Sequence, residues 1–141
     1  MAKFKKFEEI EAWKKTRTLC RHIYKESNEA SFQKEYTLMN QLKRSSGSIM
    51  DNIAEGFERG GNKEFIHFLF ISKGSAAETK SQLYRALDQN LLTNERFNSL
   101  YDLANEISYM IGKLIHYLKE SDFKGIKFKT TQNTEHKTQN L

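Results

Sequence analysis

Not one proline occurs in the 141 residues, and only seven positions are glycine, so little in the chain interrupts a long helix. Apolar residues recur at three-and-four spacing over four stretches, the period of helices that bury one face. The same composition argues against a sandwich with many tight turns and excludes collagen-like or Pro/Gly-rich disordered architectures. A chain of this length makes one domain with a real core.

The first helix is expected over about residues 8–27, with Ile10, Trp13, Cys20, Ile23 and Tyr24 on its apolar face. The second runs from Ser31, an N-cap, to Glu58, with the stripe Phe32, Tyr36, Met39, Leu42, Ser46, Ile49, Ile53 and Phe57. Gly60 and Gly61 stop it, and Asn62 caps a third helix that carries Phe65, Leu69, Ser72, Ala76, Thr79, Leu83, Ala86 and Leu87 and ends near Asn90. Thr93 caps a fourth, whose seam is Phe97, Leu100, Ala104, Ile107, Ile111, Leu114 and Leu118, and which closes over Ser121–Gly125. Rods of roughly 30 to 40 Å joined by short connections must lie antiparallel. The expected fold is all-α: an antiparallel up-down-up-down four-helix bundle over residues 1–125. Residues 126–141 have no sustained period and few apolar groups to offset ordering entropy, so they are expected to form a polar, disordered tail.

Phe65, Ile66, Phe68, Leu69, Phe70 and Ile71 cover nearly the whole circumference of the third helix, and Tyr101, Tyr109 and Tyr117 add a side face to the fourth. Four helices do not bury that much apolar surface, so a second copy of the chain is the expected cover.

The net charge of +5 resides at the ends: residues 1–6 and 124–141 together hold +6, and residues 7–123 sum to −1. A single cysteine precludes an internal disulfide, and no apolar run reaches the ~18 residues of a membrane span, so the expected compartment is the cytoplasm with no membrane partner. Glu64 and His67 form one Glu-x-x-His pair, but a carboxylate-bridged metal site needs a second. The Gly56–Gly61 stretch lacks the lysine spacing and preceding strand of a phosphate loop. Cys20 lies on an apolar stripe, where a thiol is inert. No catalytic residue, metal or cofactor is expected.

Two polar features remain. On the second helix Ser45, Ser48, Asn52, Glu55 and Arg59 repeat beside the apolar stripe, matched on the third by Ser75, Glu78, Gln82 and Arg85. A turn centred at Gly60–Gly61 places Arg44 level with Glu78 and Gly47 and Ser48 level with Gly74, where facing glycines would let the backbones approach and an Arg/Glu pair would lock register. A structural seam of Arg44, Ser48, Asn52, Glu55, Arg59, Gly74, Ser75 and Glu78 is the leading reading, beside a solvated face or a ligand contact. On the first helix Lys14, Lys15, Arg17, Arg21 and Lys25 occur with no acid between positions 12 and 25. Such a strip is a solvated face, a phosphate-binding surface or a contact for an acidic protein. No base-stacking platform is identifiable from the sequence.

The run Gln41-Leu42-Lys43-Arg44, Ser48-Ile49, Asn52-Ile53-Ala54-Glu55-Gly56 and Arg59, followed by Phe68-Leu69 and Gly74-Ser75-Ala76-Ala77-Glu78, resembles the bacterial four-helix bundle family named for proteins encoded in intervening sequences of 23S rRNA genes. Trp13 and the Glu35-Tyr36 helix start fit as well, and the likeness spans about residues 4–120. Ser45 and Ser72 stand where that family usually has alanine. The resemblance implies a ring-like homopentamer, related to the accessory variability protein of diversity-generating retroelements, and implies no catalytic residues. Two functional readings follow: an oligomeric RNA- or DNA-binding protein using the helix-one cations, or a scaffold that binds another protein without touching nucleic acid.

Overall fold

The computed structural model describes the backbone of residues 4–139 and the side chains of residues 4–121. A 3-10 turn, Phe7–Glu9, leads into α1 (Glu11–Glu26); a short α2 (Ala30–Gln33) precedes α3 (Tyr36–Glu58), α4 (Asn62–Asp88) and α5 (Asn94–Gln139). The four long helices form an antiparallel bundle in which α3 packs on α1 and α4, and α5 closes the square against α4 and α1. Leu19, Ile23, Leu42, Ile49, Ile53, Leu69, Leu83, Ile107, Ile111 and Leu118 fill the centre. No helix among the described residues is long and apolar enough to cross a membrane.

The α4 seam is buried as expected from Phe65 through Ala86, while α5 turns Ile115 inward and leaves Leu114 half-buried. Elsewhere the structure corrects the expected faces. The buried face of α1 is Ala12, Thr16, Leu19 and Ile23, whereas Tyr24 is 55% exposed and Cys20 half-buried. Thr16 enters the core because its hydroxyl donates to the Ala12 carbonyl at 2.7 Å, leaving a methyl to pack. Ile10 sits in extended backbone ahead of the helix and is itself buried, so α1 starts at Glu11 instead of residue 8. The expected second helix is broken at Lys34–Glu35, where Glu35 takes φ −117° and ψ 50°. The break buries Phe32 while leaving Tyr36 69% exposed. Ser31 caps nothing and donates instead to the Leu91 carbonyl at 3.4 Å, tying α2 to the connection between α4 and α5.

Gly60, at φ +86°, turns the chain from α3 into α4 in a conformation that favours glycine, and Gly61 is the N-cap in place of Asn62. Asn90, at φ 59°, ends α4, with the Leu91 N–H donating to the Ala86 carbonyl at 2.9 Å. Thr93 caps α5 as expected, its Oγ1 accepting from the Arg96 N–H at 3.2 Å. That helix does not close at Ser121–Gly125 but runs to Gln139. A single glycine costs a helix only about 1 kcal/mol, and no proline stands there to stop it. The division at residue 125 and the disordered reading of 126–141 fall on side chains outside the described residues.

Of the described glycines, Gly56 lies tightest against another helix: an added Cβ there would lie 2.5 Å from the Phe68 Cβ. Gly47 and Gly74, expected to face one another closely, have open space instead. At Gly112 an added Cβ meets only the Lys73 side chain, at 3.5 Å. Gly56→Ala is therefore expected to destabilise the fold by about 1–3 kcal/mol through overpacking, while Gly112→Ala should stabilise it by about 0.5–1 kcal/mol through helix propensity. Denaturant melts of the two variants check this, and the same sign for both would contradict it.

Glu26 ends α1 with Oε2 buried and without a hydrogen bond, 3.6 Å from the Arg96 guanidinium. Burial pushes its pKa above the ordinary carboxylate value, Arg96 only partly opposing the shift. The folded state therefore holds this proton more tightly than the unfolded chain, and stability is lost as pH rises from the ordinary carboxylate value through the raised one. Glu26→Gln should raise the melting temperature at pH 7 and change it little near pH 3.

Candidate functional site

The polar residues of α3 and α4 meet along an open groove of about 690 Å³. Its buried side is a hydroxyl and amide relay. Thr79 Oγ1 donates to Ser45 Oγ at 2.8 Å, Ser45 Oγ to Gln82 Oε1 at 2.6 Å, and Gln82 Nε2 to Glu78 Oε1 at 3.3 Å. One turn along, the Ser48 and Ser75 hydroxyls lie 2.9 Å apart, Asn52 Nδ2 donates to the Ser48 carbonyl at 2.8 Å, and Ser72 donates across to the Ile49 carbonyl at 2.8 Å. Small hydroxyl residues permit this because each bonds across the interface without holding the helices apart.

The expected seam is therefore assembled in part. Ser48, Asn52 and Ser75 belong to it. Gly74 touches nothing across the interface, and Arg44 and Glu78 form no ion pair, both lying on the rim among the described residues. The cause is register: Ser48 pairs with Ser75 and Gly56 abuts Phe68, a slip of about two residues from a turn centred on the glycines. Glu55 and Arg59 pair with each other at 3.0 Å on the exposed side of α3, and the Arg59 guanidinium lies 5.1 Å from the Phe68 ring. Thr79, expected only as part of an apolar stripe, belongs to the relay; its hydroxyl beside Ser45 was the available signal.

Of the helix-one cations, Lys14 pairs with Glu11 at 3.2 Å and Lys15 with Glu106 of α5 at 2.9 Å. Arg17, Arg21 and Lys25 are exposed and make no salt bridge among the described residues. They recur every four residues, so they form one outward strip about 12 Å long. Glu64 and His67 are both exposed on the first turns of α4. Cys20 Sγ lies 3.7 Å from the Met50 sulfur, and burial raises its pKa, which keeps the thiol protonated.

Because the relay buries Gln82 and leaves Glu78 at the rim, Gln82→Ala should destabilise by about 1–3 kcal/mol, against under ~1 kcal/mol for Glu78→Ala. Thermal melts of the two variants decide it, and a larger loss for Glu78→Ala would restore a buried ion pair as the lock.

The profile of the family described as 23S rRNA-intervening sequence protein matches residues 8–113. A solved structure, a protein of unknown function from the S23 ribosomal protein family of Bacteroides thetaiotaomicron VPI-5482, is similar with a TM-score of 0.67 and 29% sequence identity, covering 74% of this chain and 97% of its own. No curated protein matches. The match runs from α1 through most of the bundled part of α5, taking in the α3–α4 relay and the cationic strip, and on that extent the chain belongs to the 23S rRNA-intervening sequence protein family.

Proposed function

We propose that this bundle is a non-enzymatic, self-associating RNA-binding protein of the cytoplasm, holding phosphates on the outer strip of α1. The observation that carries this reading is the state of Arg17, Arg21 and Lys25: three exposed cations in a row with no carboxylate bound to them among the described residues. A polyanion with regularly spaced charge is the natural complement of such a strip. Lys14 and Lys15, already paired, contribute less.

Self-association is supported by the outer side of α4. Ile71 is 41% exposed there, and Gly74, three residues on and on the same face, has open space before it. An apolar side chain beside a bare stretch of backbone suits close contact with another copy. Assembly repeats the α1 strip in every subunit and raises affinity through effective concentration. The resemblance implies five copies.

Light scattering should give a mass several times 16.6 kDa, and a monomer at micromolar concentration would contradict the assembly. RNA affinity should fall steeply with salt, with a slope of log affinity against log salt of about −0.7 per neutralised phosphate on single strands. Arg17→Glu combined with Arg21→Glu should weaken binding and flatten that slope. An unchanged affinity and slope in a still-assembled double variant would leave the strip a solvated face and favour a protein-binding scaffold.

A further inference from the structure

The side of α4 that faces α5 carries a second set of cations, interleaved with aromatic rings. Lys73 of α4 and Tyr109, Gly112, Lys113 and His116 of α5 line an open groove of about 560 Å³, with Asn105 and Ser108 completing it. No carboxylate is among its lining residues. Toward one end, Lys80 Nζ donates to Asn105 Oδ1 at 3.2 Å and lies 5.8 Å from the Tyr101 ring, which stacks on Phe97 at 5.3 Å. At the other end, Lys119 Nζ sits 4.9 Å from the Phe70 ring. Among the described residues Lys73, Lys80, Lys113 and Lys119 make no salt bridge, and His116 has one distant carboxylate neighbour, Glu120, at 4.0 Å.

Beyond Tyr84, which packs on Phe97 and Tyr101, two rings in this band face outward. Tyr109 is 67% exposed and Phe70 48% exposed. Neither is needed to fill the core, since Leu69, Ile107 and Ile111 beside them are fully buried. From Tyr101 to Lys119 the band runs about 27 Å along α5. Gly112, lacking a side chain, keeps the middle of the groove low between Lys73 and Lys113.

We propose that the α4–α5 groove is a single-stranded RNA subsite, in which Lys73, Lys80, Lys113 and Lys119 hold successive phosphates and Tyr109 and Phe70 stack unpaired bases. Lys73 and Lys113 line a groove with no carboxylate, and Lys80 and Lys119 lie beyond its two ends; this row matches a polyanion, and the exposed rings beside it match its bases. Aromatic platforms in a cationic groove are the general means of holding a single strand, and they tolerate any sequence because every base has a flat face. A duplex keeps its bases inside and gains only the phosphate contacts. The subsite rests on the RNA-binding reading and adds to it a preference for unpaired strands.

The test uses the full chain with a single-stranded RNA carrying 2-aminopurine, and the same strand annealed to its complement. Wild type should bind the single strand more tightly than the duplex and quench 2-aminopurine on binding. Tyr109→Ala should weaken single-strand binding about tenfold, reduce the quench to what Phe70 alone gives and leave the salt slope unchanged, because stacking releases no counterions. Tyr109→Phe should retain both affinity and quench. Lys73→Ala with Lys113→Ala should instead reduce the slope, by about 0.7 for each phosphate no longer neutralised. If wild type binds RNA and Tyr109→Ala binds and quenches identically, the groove is not the subsite although the α1 strip still stands. If wild type binds no RNA at all, both assignments fail. Loss of assembly by Tyr109→Ala in light scattering would make this face a subunit contact and overturn the proposal.

Discussion

The contact between Gly56 and Phe68 governs the arrangement of everything outside it. Backbone meets side chain there so closely that any larger residue at position 56 forces α3 and α4 apart. Near the middle of the same pair, the chain from Thr79 through Ser45 to Gln82 permits only one register, because a shift by one residue would strand its buried donors. A register lock built from neutral hydroxyls avoids the desolvation cost of a buried ion pair. Once α4 is fixed in rotation, Ile71 and Gly74 must face outward while Phe70, Lys73 and Lys80 lie toward α5.

That division gives one helix three distinct sides. Its α3 side is polar and satisfied from within the bundle. Its outer side offers an apolar spot and bare backbone, and its α5 side offers cations and rings. The neutral body of the chain hides this segregation, since charges that cancel over residues 7–123 are separated in space: carboxylates at 11 and 106 are already held by lysines, while the groove between α4 and α5 is lined by lysines and no carboxylate. Position, not total charge, marks the surfaces proposed for RNA.

The bundle itself was legible because the apolar periodicity of α4 and α5 is long and uninterrupted, and Thr93 is a strong cap. Legibility failed where a polar residue took a core position by satisfying its hydroxyl locally, as Thr16 does, since apolarity alone then points to the wrong face. It failed at Lys34–Glu35 because the break there answers to burial of Phe32, a tertiary demand with no local sign. The residues of the relay were visible as a spaced set of small polar side chains, but their partners depended on register, and the turn at Gly60–Gly61 shifts that by about two residues. The α4–α5 groove was invisible for a different reason: its rings and lysines come from two helices, and each looks like surplus apolar surface or ordinary solvated charge until the pair is assembled.

The most direct test of the proposed RNA surfaces is ultraviolet cross-linking of a single strand mixed with the protein, followed by mass spectrometry of the linked peptides. Cross-links concentrated on the peptides carrying Tyr109 and Phe70, with weaker ones on the Arg17–Lys25 segment, are the predicted result. Cross-links confined to the Ser48–Ser75 groove, or none from a strand demonstrably bound, would contradict the account.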